Sequence, residues 1–290
     1  MEVDVVLAVK KTTAGAVAAL AALMMFFSGI VNTPTASAAG GRAYVGMGDS
    51  FAANPTVPQQ FAGFFNGGCG QGTDTYVDRI GRQRFGGNYA NIACNGVTVS
   101  GHAGPGVAHL AEQAKRRGII GPNTRLVTIT VGAAEGWNPA RLNGRDFGIT
   151  GGGAFATQQR WNDRMGSAIR RIKRVAPNAR IMVVGYPEVT RPDRLLCTSS
   201  IALGNKESLD VGVPSGIGEM MHNVNRIASR GTHLGYEYVN TVRPDTGTCA
   251  HPNRQWVHGI VDIPGENDRM PVHPTSRGNQ GIANIVKARL

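Results

Sequence analysis

The chain has 290 residues, of which 30 are Lys or Arg and 19 are Asp or Glu, and its formal net charge is +11. A basic surface of this kind can meet nucleic acid, anionic lipid or acidic envelope polymers. The basic residues are scattered, and the aromatic residues, 6% of the chain, do not alternate with them as they would in a base-stacking surface. Composition therefore argues against a nucleic-acid partner.

The N-terminal segment has the features of an export signal. Two lysines precede the uncharged run 14–31, and a triplet of small residues follows at 36–38. The run is also long enough to span a membrane, so a retained anchor is the alternative to cleavage after Ala38. We expect a cleaved signal peptide over 1–38 and a single domain over 39–290. The protein would then be secreted or held in the cell envelope, outside the cytoplasm.

Apolar runs of strand length alternate with helical patterns from residue 42 onward. Strands are predicted over 42–47, 88–94, 125–132, 179–187 and 236–242, and helices over about 107–117, 156–175, 217–233 and 276–290. Such alternation predicts a parallel sheet covered by helices on both faces. In sheets of this type, functional residues collect at the carboxyl ends of the strands.

A serine lies where the first predicted strand ends, Ser50 in the sequence GMGDSF. A serine hydroxyl becomes a nucleophile when a base takes its proton and donors stabilise the resulting oxyanion. Of the seven histidines, His251 and His273 precede a proline. We assign the base to His273, because it lies in a loop just before the last predicted helix. His251 follows Cys249 closely, so a constrained loop explains it more simply.

The cysteines favour an oxidising compartment. Four are present, all after the leader, and an even number there indicates two disulfides with three pairings open: Cys69, Cys94, Cys197 and Cys249. The sequence has no CxxC motif and no Cys/His cluster, so we predict no metal site. Serine chemistry of the kind outlined above also needs no cofactor.

Three motifs occur in order along the chain: GDSF at 48–51, CNGVTVSG at 94–101 and VHPTSRGNQGIA at 272–283. Together they resemble the SGNH/GDSL hydrolase family, and the cysteine spacing resembles its secreted actinobacterial lipase and esterase branch. The resemblance implies an α/β flavodoxin-like three-layer sandwich with a five-stranded parallel sheet in the order 2-1-3-4-5.

The resemblance also implies roles for individual residues. It makes Ser50 the nucleophile, the backbone N–H groups of Ser50 and Gly96 the oxyanion donors, and His273 the base. It further implies two disulfides, Cys69–Cys94 and Cys197–Cys249. From the residues alone, we assign Asp49 to the local turn and Glu135 to a helix start rather than to a substrate contact.

Two positions depart from the family pattern. Ala134 stands where the family has an Asn side chain that donates to the oxyanion, and one such donor is worth ~10²–10³ in turnover. Met270 stands where the family has the Asp that orients the base, a loss of roughly 10⁴ in serine proteases. Three arrangements stay open: a backbone carbonyl near Met270 orients His273, Asp268 does so, or nothing does.

The sequence thus predicts an exported serine ester hydrolase, an esterase or lipase that acts on a lipid or on an acylated envelope glycan. One rival hypothesis is a degenerate protein that binds envelope lipid or glycan without turnover, which the two departures favour. The other is an envelope O-acyltransferase that uses the same acyl-Ser50 intermediate. We expect a monomer that contacts an anionic envelope peripherally.

Overall fold

The computed structural model describes residues 40–65, 68–101, 105–136, 157–191 and 195–290. The predicted signal peptide lies outside the described residues. None of the described helices is long and apolar enough to cross a membrane.

The strands fall into two sheets. In chain order they are β1 (Tyr44–Gly48), β2 (Tyr89–Asn91), β3 (Leu126–Thr130), β4 (Arg180–Val184), β5 (Leu195–Leu203), β6 (Glu207–Pro214), β7 (Glu237–Val239) and β8 (Val261–Ile263). Five of them pair in parallel in the order β2-β1-β3-β4-β7. The predicted fold class is confirmed, since β7 is the fifth strand of this sheet and the order is the expected 2-1-3-4-5.

Helices cover the sheet. They are α1 (Ser50–Ala53), α2 (Val57–Phe65), α3 (Tyr76–Phe85), α4 (Val107–Arg116), α5 (Gln158–Val175), α6 (Ile217–Arg230) and α7 (Ser276–Lys287). The last four agree with the predicted helices. The sequence analysis missed α3, which has few apolar residues and whose start is fixed by a capping box between Thr75 and Asp78.

Two apolar clusters hold the layers together. Along β1, Val45 and Met47 point into a cluster shared with α4, α5 and α6. Tyr44, which precedes them and points to the other face of the sheet, packs in a second cluster with α3 and α7. Each fully buried aliphatic side chain contributes about 1.5–3 kcal/mol, so burial on both faces stabilises the central strands.

The smaller sheet was not predicted. It has the order β6-β5-β8, with β5 antiparallel to β6 and parallel to β8. Its buried positions are Cys197, Ser200 and Asp262, and most of its large apolar side chains, such as Leu209 and Val211, are exposed. This reversal of the usual pattern explains why apolar periodicity did not reveal it.

Both disulfides implied by the resemblance are present. Cys69 and Cys94 join the segment after α2 to the segment after β2, with their Cα atoms 5.2 Å apart. Cys197 on β5 joins Cys249, with a Cα–Cα distance of 5.0 Å. The two links restrain the segments that follow β2 and β7.

Replacing Gly48 with Ala should destabilise the protein by about 3 kcal/mol or more. Gly48 has φ +139°, and a Cβ there would collide with the carbonyl of Thr130 on β3. The matched control is Gly204→Ala, where φ is +78° and the space is open, with an expected cost of about 1 kcal/mol. Chemical denaturation measures both, and equal losses would show that the contact with β3 does not matter.

Candidate active site

Ser50 lies at the carboxyl end of β1, as the first residue of α1. The turn before it is held by the N–H of Asp49, which donates to the carbonyl of Thr130 at 2.8 Å. The side chain of Asp49 caps α1 by accepting from the N–H of Phe51 at 3.0 Å. Ser50 itself is half-buried, so its hydroxyl sits at the functional edge of the sheet in a fixed turn.

Gly96 lies in the segment that follows β2. The N–H of Cys94 donates to the carbonyl of Gly48 at 2.9 Å, which ties the start of this segment to the end of β1. Gly96 has φ +75°, and a Cβ there would meet no atom within 4 Å. A glycine at this position is therefore favoured by its left-handed backbone.

His273 lies beside the turn that bears Ser50. Its ring centroid is 5.1 Å from that of Phe51, the residue after Ser50. Its Nδ1 is 2.8 Å from the carbonyl oxygen of Pro271. A carbonyl can only accept, so Nδ1 carries the proton and Nε2 holds the free lone pair. Nε2 is buried and has no hydrogen-bond partner among the described residues, which is the state a general base requires.

The backbone around His273 is held from both sides. Val272 has φ +63°, an unfavourable conformation for a β-branched residue, at a cost of about 1–3 kcal/mol. Its N–H donates to the carbonyl of His258 at 3.0 Å, and the N–H of His258 donates to the carbonyl of His273 at 3.2 Å. The buried side chain of Asn54, which follows α1, donates to the carbonyl of Pro274 at 2.8 Å. These contacts fix the imidazole relative to the turn that bears Ser50.

Neither Met270 nor Asp268 contacts the imidazole of His273 through a side-chain hydrogen bond in the structure. The thioether of Met270 accepts from Asn95 at 3.3 Å. Asp268 is exposed, and its backbone carbonyl accepts from the N–H of Val57 at 2.7 Å. Of the three arrangements left open by the sequence, the geometry has a backbone carbonyl on Nδ1, and it belongs to Pro271.

Tyr186 connects three strand ends, and the sequence analysis gave it no role. It follows β4, and its hydroxyl accepts from the N–H of Ala133 after β3 at 2.9 Å and donates to Asp49 after β1. Its backbone is fixed by Asn225 of α6, which accepts from its N–H at 2.8 Å and donates to its carbonyl at 2.9 Å. Burial raises the pKa of Asp49 to about 7, although the bond from Tyr186 opposes that shift.

Glu135 holds the segment that carries Gly96. It lies in a short 3-10 helix after β3, so its predicted place at a helix start agrees with the structure. Its carboxylate is buried and accepts from the N–H of Val99, from the N–H of Ser100 at 2.9 Å and from the Ser100 hydroxyl at 2.6 Å. Glu135 is therefore a positioning residue, which clamps the end of this segment to the end of β3.

The remaining candidates lie elsewhere. His251 is buried, and its ring is 3.2 Å from the carbonyl of Gly204 at the β5–β6 turn. His258 is also buried, and neither ring nitrogen has a hydrogen-bond partner among the described residues. Within the described ranges, no group of three or more His, Cys, Asp or Glu is arranged to hold a metal ion.

The fold is similar to those of two solved bacterial enzymes. A phospholipase A1 from Streptomyces albidoflavus matches with a TM-score of 0.57 and 19% identity, over 87% of this chain and 100% of that chain. An extracellular lipase from Streptomyces rimosus matches with a TM-score of 0.53 and 19% identity, over 85% and 99%. No protein-family model and no curated protein matches the sequence. The resemblance to SGNH/GDSL hydrolases is thus confirmed at the level of the fold.

The imidazole of His273 should titrate near pH 4 rather than near its ordinary pKa of 6.5. Burial lowers its pKa to about 4, the carbonyl of Pro271 opposes that shift, and the nearby His258 adds to it. The base would therefore stay neutral at pH 7 and be lost only as the pH falls towards 4. NMR titration measures the midpoint, with His273→Ala to assign the signal, and a midpoint at 6.5 or above would contradict the burial of Nε2.

Tyr186→Phe should destabilise the protein by about 2 kcal/mol or more, because it leaves the N–H of Ala133 and the Oδ2 atom of Asp49 without a partner in a buried site. Tyr76→Phe is the matched control. Its hydroxyl bonds the hydroxyl of Thr130 at 2.8 Å, and the expected loss is about 1 kcal/mol. Urea denaturation compares the two, and an equal loss would mean that Tyr186 does not join the strand ends.

Proposed function

We propose that the protein is an exported serine ester hydrolase with Ser50 as nucleophile and His273 as general base. The observation that carries the proposal is the state of His273. Its Nδ1 is occupied by the carbonyl of Pro271, and its Nε2 is buried and unpartnered beside the turn that bears Ser50. A serine hydroxyl is the group that such a base would activate.

The chemistry has two steps. Nε2 of His273 takes the hydroxyl proton as Ser50 Oγ bonds the acyl carbon, and the proton passes to the leaving alcohol as the ester C–O bond breaks. Water then attacks the acyl carbon of the acyl-Ser50 intermediate and gives a proton to Nε2 of His273. His273 returns this proton to Ser50 Oγ as the acyl C–O bond breaks and the acid leaves. The N–H groups of Ser50 and Gly96 are the expected donors to the oxyanion.

The carbonyl of Pro271 takes over one part of what an Asp would do. It selects the tautomer in which Nε2 is free and orients the ring. It carries no charge, so it stabilises the imidazolium less than a carboxylate would. Together with Ala134 in place of an Asn donor, this favours a slow enzyme over one with a full set of donors.

Two further features support this function outside the cytoplasm. The two disulfides are typical of proteins that fold in oxidising compartments. The two similar structures are those of a phospholipase and an extracellular lipase, which are enzymes that act on esters. The rival hypothesis of binding without turnover rests on the two departures, Ala134 and Met270.

Labelling with a fluorophosphonate tests the proposal. The unaltered protein should react covalently, Ser50→Ala should reduce labelling to background, and His273→Ala should slow it by at least about 10²-fold, as expected for a lost general base. Matched controls are Ser229→Ala and His233→Ala, which alter exposed residues and should label like the unaltered protein.

The same samples should be assayed against p-nitrophenyl esters of increasing chain length, with and without a sugar acceptor. Hydrolysis that needs Ser50 supports the hydrolase. Acyl transfer to the sugar in preference to water would identify the acyltransferase instead. Labelling that Ser50→Ala leaves intact, or no reaction with any probe, would contradict the proposal and favour the binding protein.

A further inference from the structure

The smaller sheet has an apolar face that points outward, here called the apolar sheet face. Strand alternation and the pairing of β5 with β6 and β8 place its residues on one side. Each of them is 41–55% exposed: Leu203, Leu209, Val211, Val213, Val261 and Ile263. A contiguous exposed apolar patch of this kind marks an interaction surface.

The opposite face of this sheet fixes it to the protein. The buried carboxylate of Asp262 accepts from the N–H of Ser200 at 3.0 Å and from the N–H of Gly259 at 2.8 Å. The Ser200 hydroxyl donates to Asp210 at 2.8 Å. An antiparallel sheet with one wet side normally turns its apolar side inward. Here the polar side is anchored and the apolar side is left in water, so its exposure is built into the sheet.

The apolar sheet face is joined to the segment that carries the base. β8 lies within residues 257–274, whose ends meet in a bridge between Val257 and Pro274. His273 is next to this bridge, and β8 begins shortly after its other end. The apolar sheet face and His273 therefore share one segment of the chain.

Charge and size indicate what covers this face. The protein has a net charge of +11, which attracts an anionic surface. The outward positions of β6 include one ionisable residue, Glu207, at the end of the strand, so the middle of the face can be dehydrated at little cost. Six residues fall well short of the 20–30 on each side of a typical stable protein interface, which argues against a dimer.

We propose that the apolar sheet face docks on anionic phospholipid bilayers and that the substrates are acyl esters carried in such a surface. The substrate part rests on the proposed hydrolase function. Docking would bring the segment that carries His273 to the outer leaflet, where the ester groups lie. The docking part stands on the sheet alone and can be tested without turnover.

The experiment measures binding to two kinds of vesicle, phosphatidylcholine alone and phosphatidylcholine with phosphatidylglycerol, by flotation. The unaltered protein should bind the anionic vesicles more tightly, and the difference should shrink at high salt. Leu209→Asn with Val211→Asn should weaken binding at least about ten-fold, since two apolar side chains no longer leave water.

Two further double variants provide a second test, on β8, and a control outside the smaller sheet. Val261→Thr with Ile263→Thr changes the shape of β8 little and should weaken vesicle binding in the same direction. Val242→Asn with Leu290→Asn alters exposed apolar residues outside the smaller sheet and should bind like the unaltered protein. Hydrolysis of soluble p-nitrophenyl butyrate is measured in parallel and should stay within about two-fold in all variants, because none of these residues touches the candidate site.

The outcomes separate the two proposals. Equal vesicle binding by all variants, or no binding by the unaltered protein, overturns docking even when the soluble ester is hydrolysed. Docking that depends on the apolar sheet face without any soluble-ester hydrolysis supports docking and counts against the hydrolase. A dimer in sedimentation that Leu209→Asn with Val211→Asn dissociates, with no vesicle binding, would assign the face to a second copy of the chain and overturn docking.

Discussion

The arrangement of the candidate site depends on how the buried carboxyl group of Asp49 is satisfied. A buried carboxyl group without hydrogen bonds would cost several kcal/mol, so the chain has to bring donors to it. The donors are the N–H of Phe51 and the hydroxyl of Tyr186. Because Tyr186 also accepts from Ala133, the ends of β1, β3 and β4 are tied through one side chain. The position of Ser50 follows from that link.

His273, the proposed base, is held by hydrogen bonds of the main chain around it, without a charged partner. A strained residue, Val272, precedes His273, and backbone hydrogen bonds to His258 keep it in that conformation. The packing and pairing of the surrounding segment offset the free-energy cost of this conformation. The imidazole thus gains its orientation from main-chain geometry. This explains how His273 is oriented although Met270 stands where an Asp is expected.

Much of the fold could be predicted because the central strands are apolar and alternate with amphipathic helices. The places of Ser50 at the end of a strand and of His273 in the loop before the last helix could also be predicted, and the structure has them there. The contacts of Tyr186 could not be found, because its partners are 137 and 53 residues away in the chain. The smaller sheet was missed for another reason: its polar residues are buried and its apolar residues are exposed, so its hydrophobic pattern is inverted.

The bridge between Val257 and Pro274 separates the positioning of the proposed base from the contact that the protein makes with other surfaces. The ends of segment 257–274, together with His258, Pro271 and Val272, fix His273, so residues 259–269 can change in length or composition with little movement of the imidazole. Relatives with the same chemistry can then diverge in what they touch by altering these residues alone. The outer surface of this segment can then vary while the positions of the proposed reacting groups stay the same.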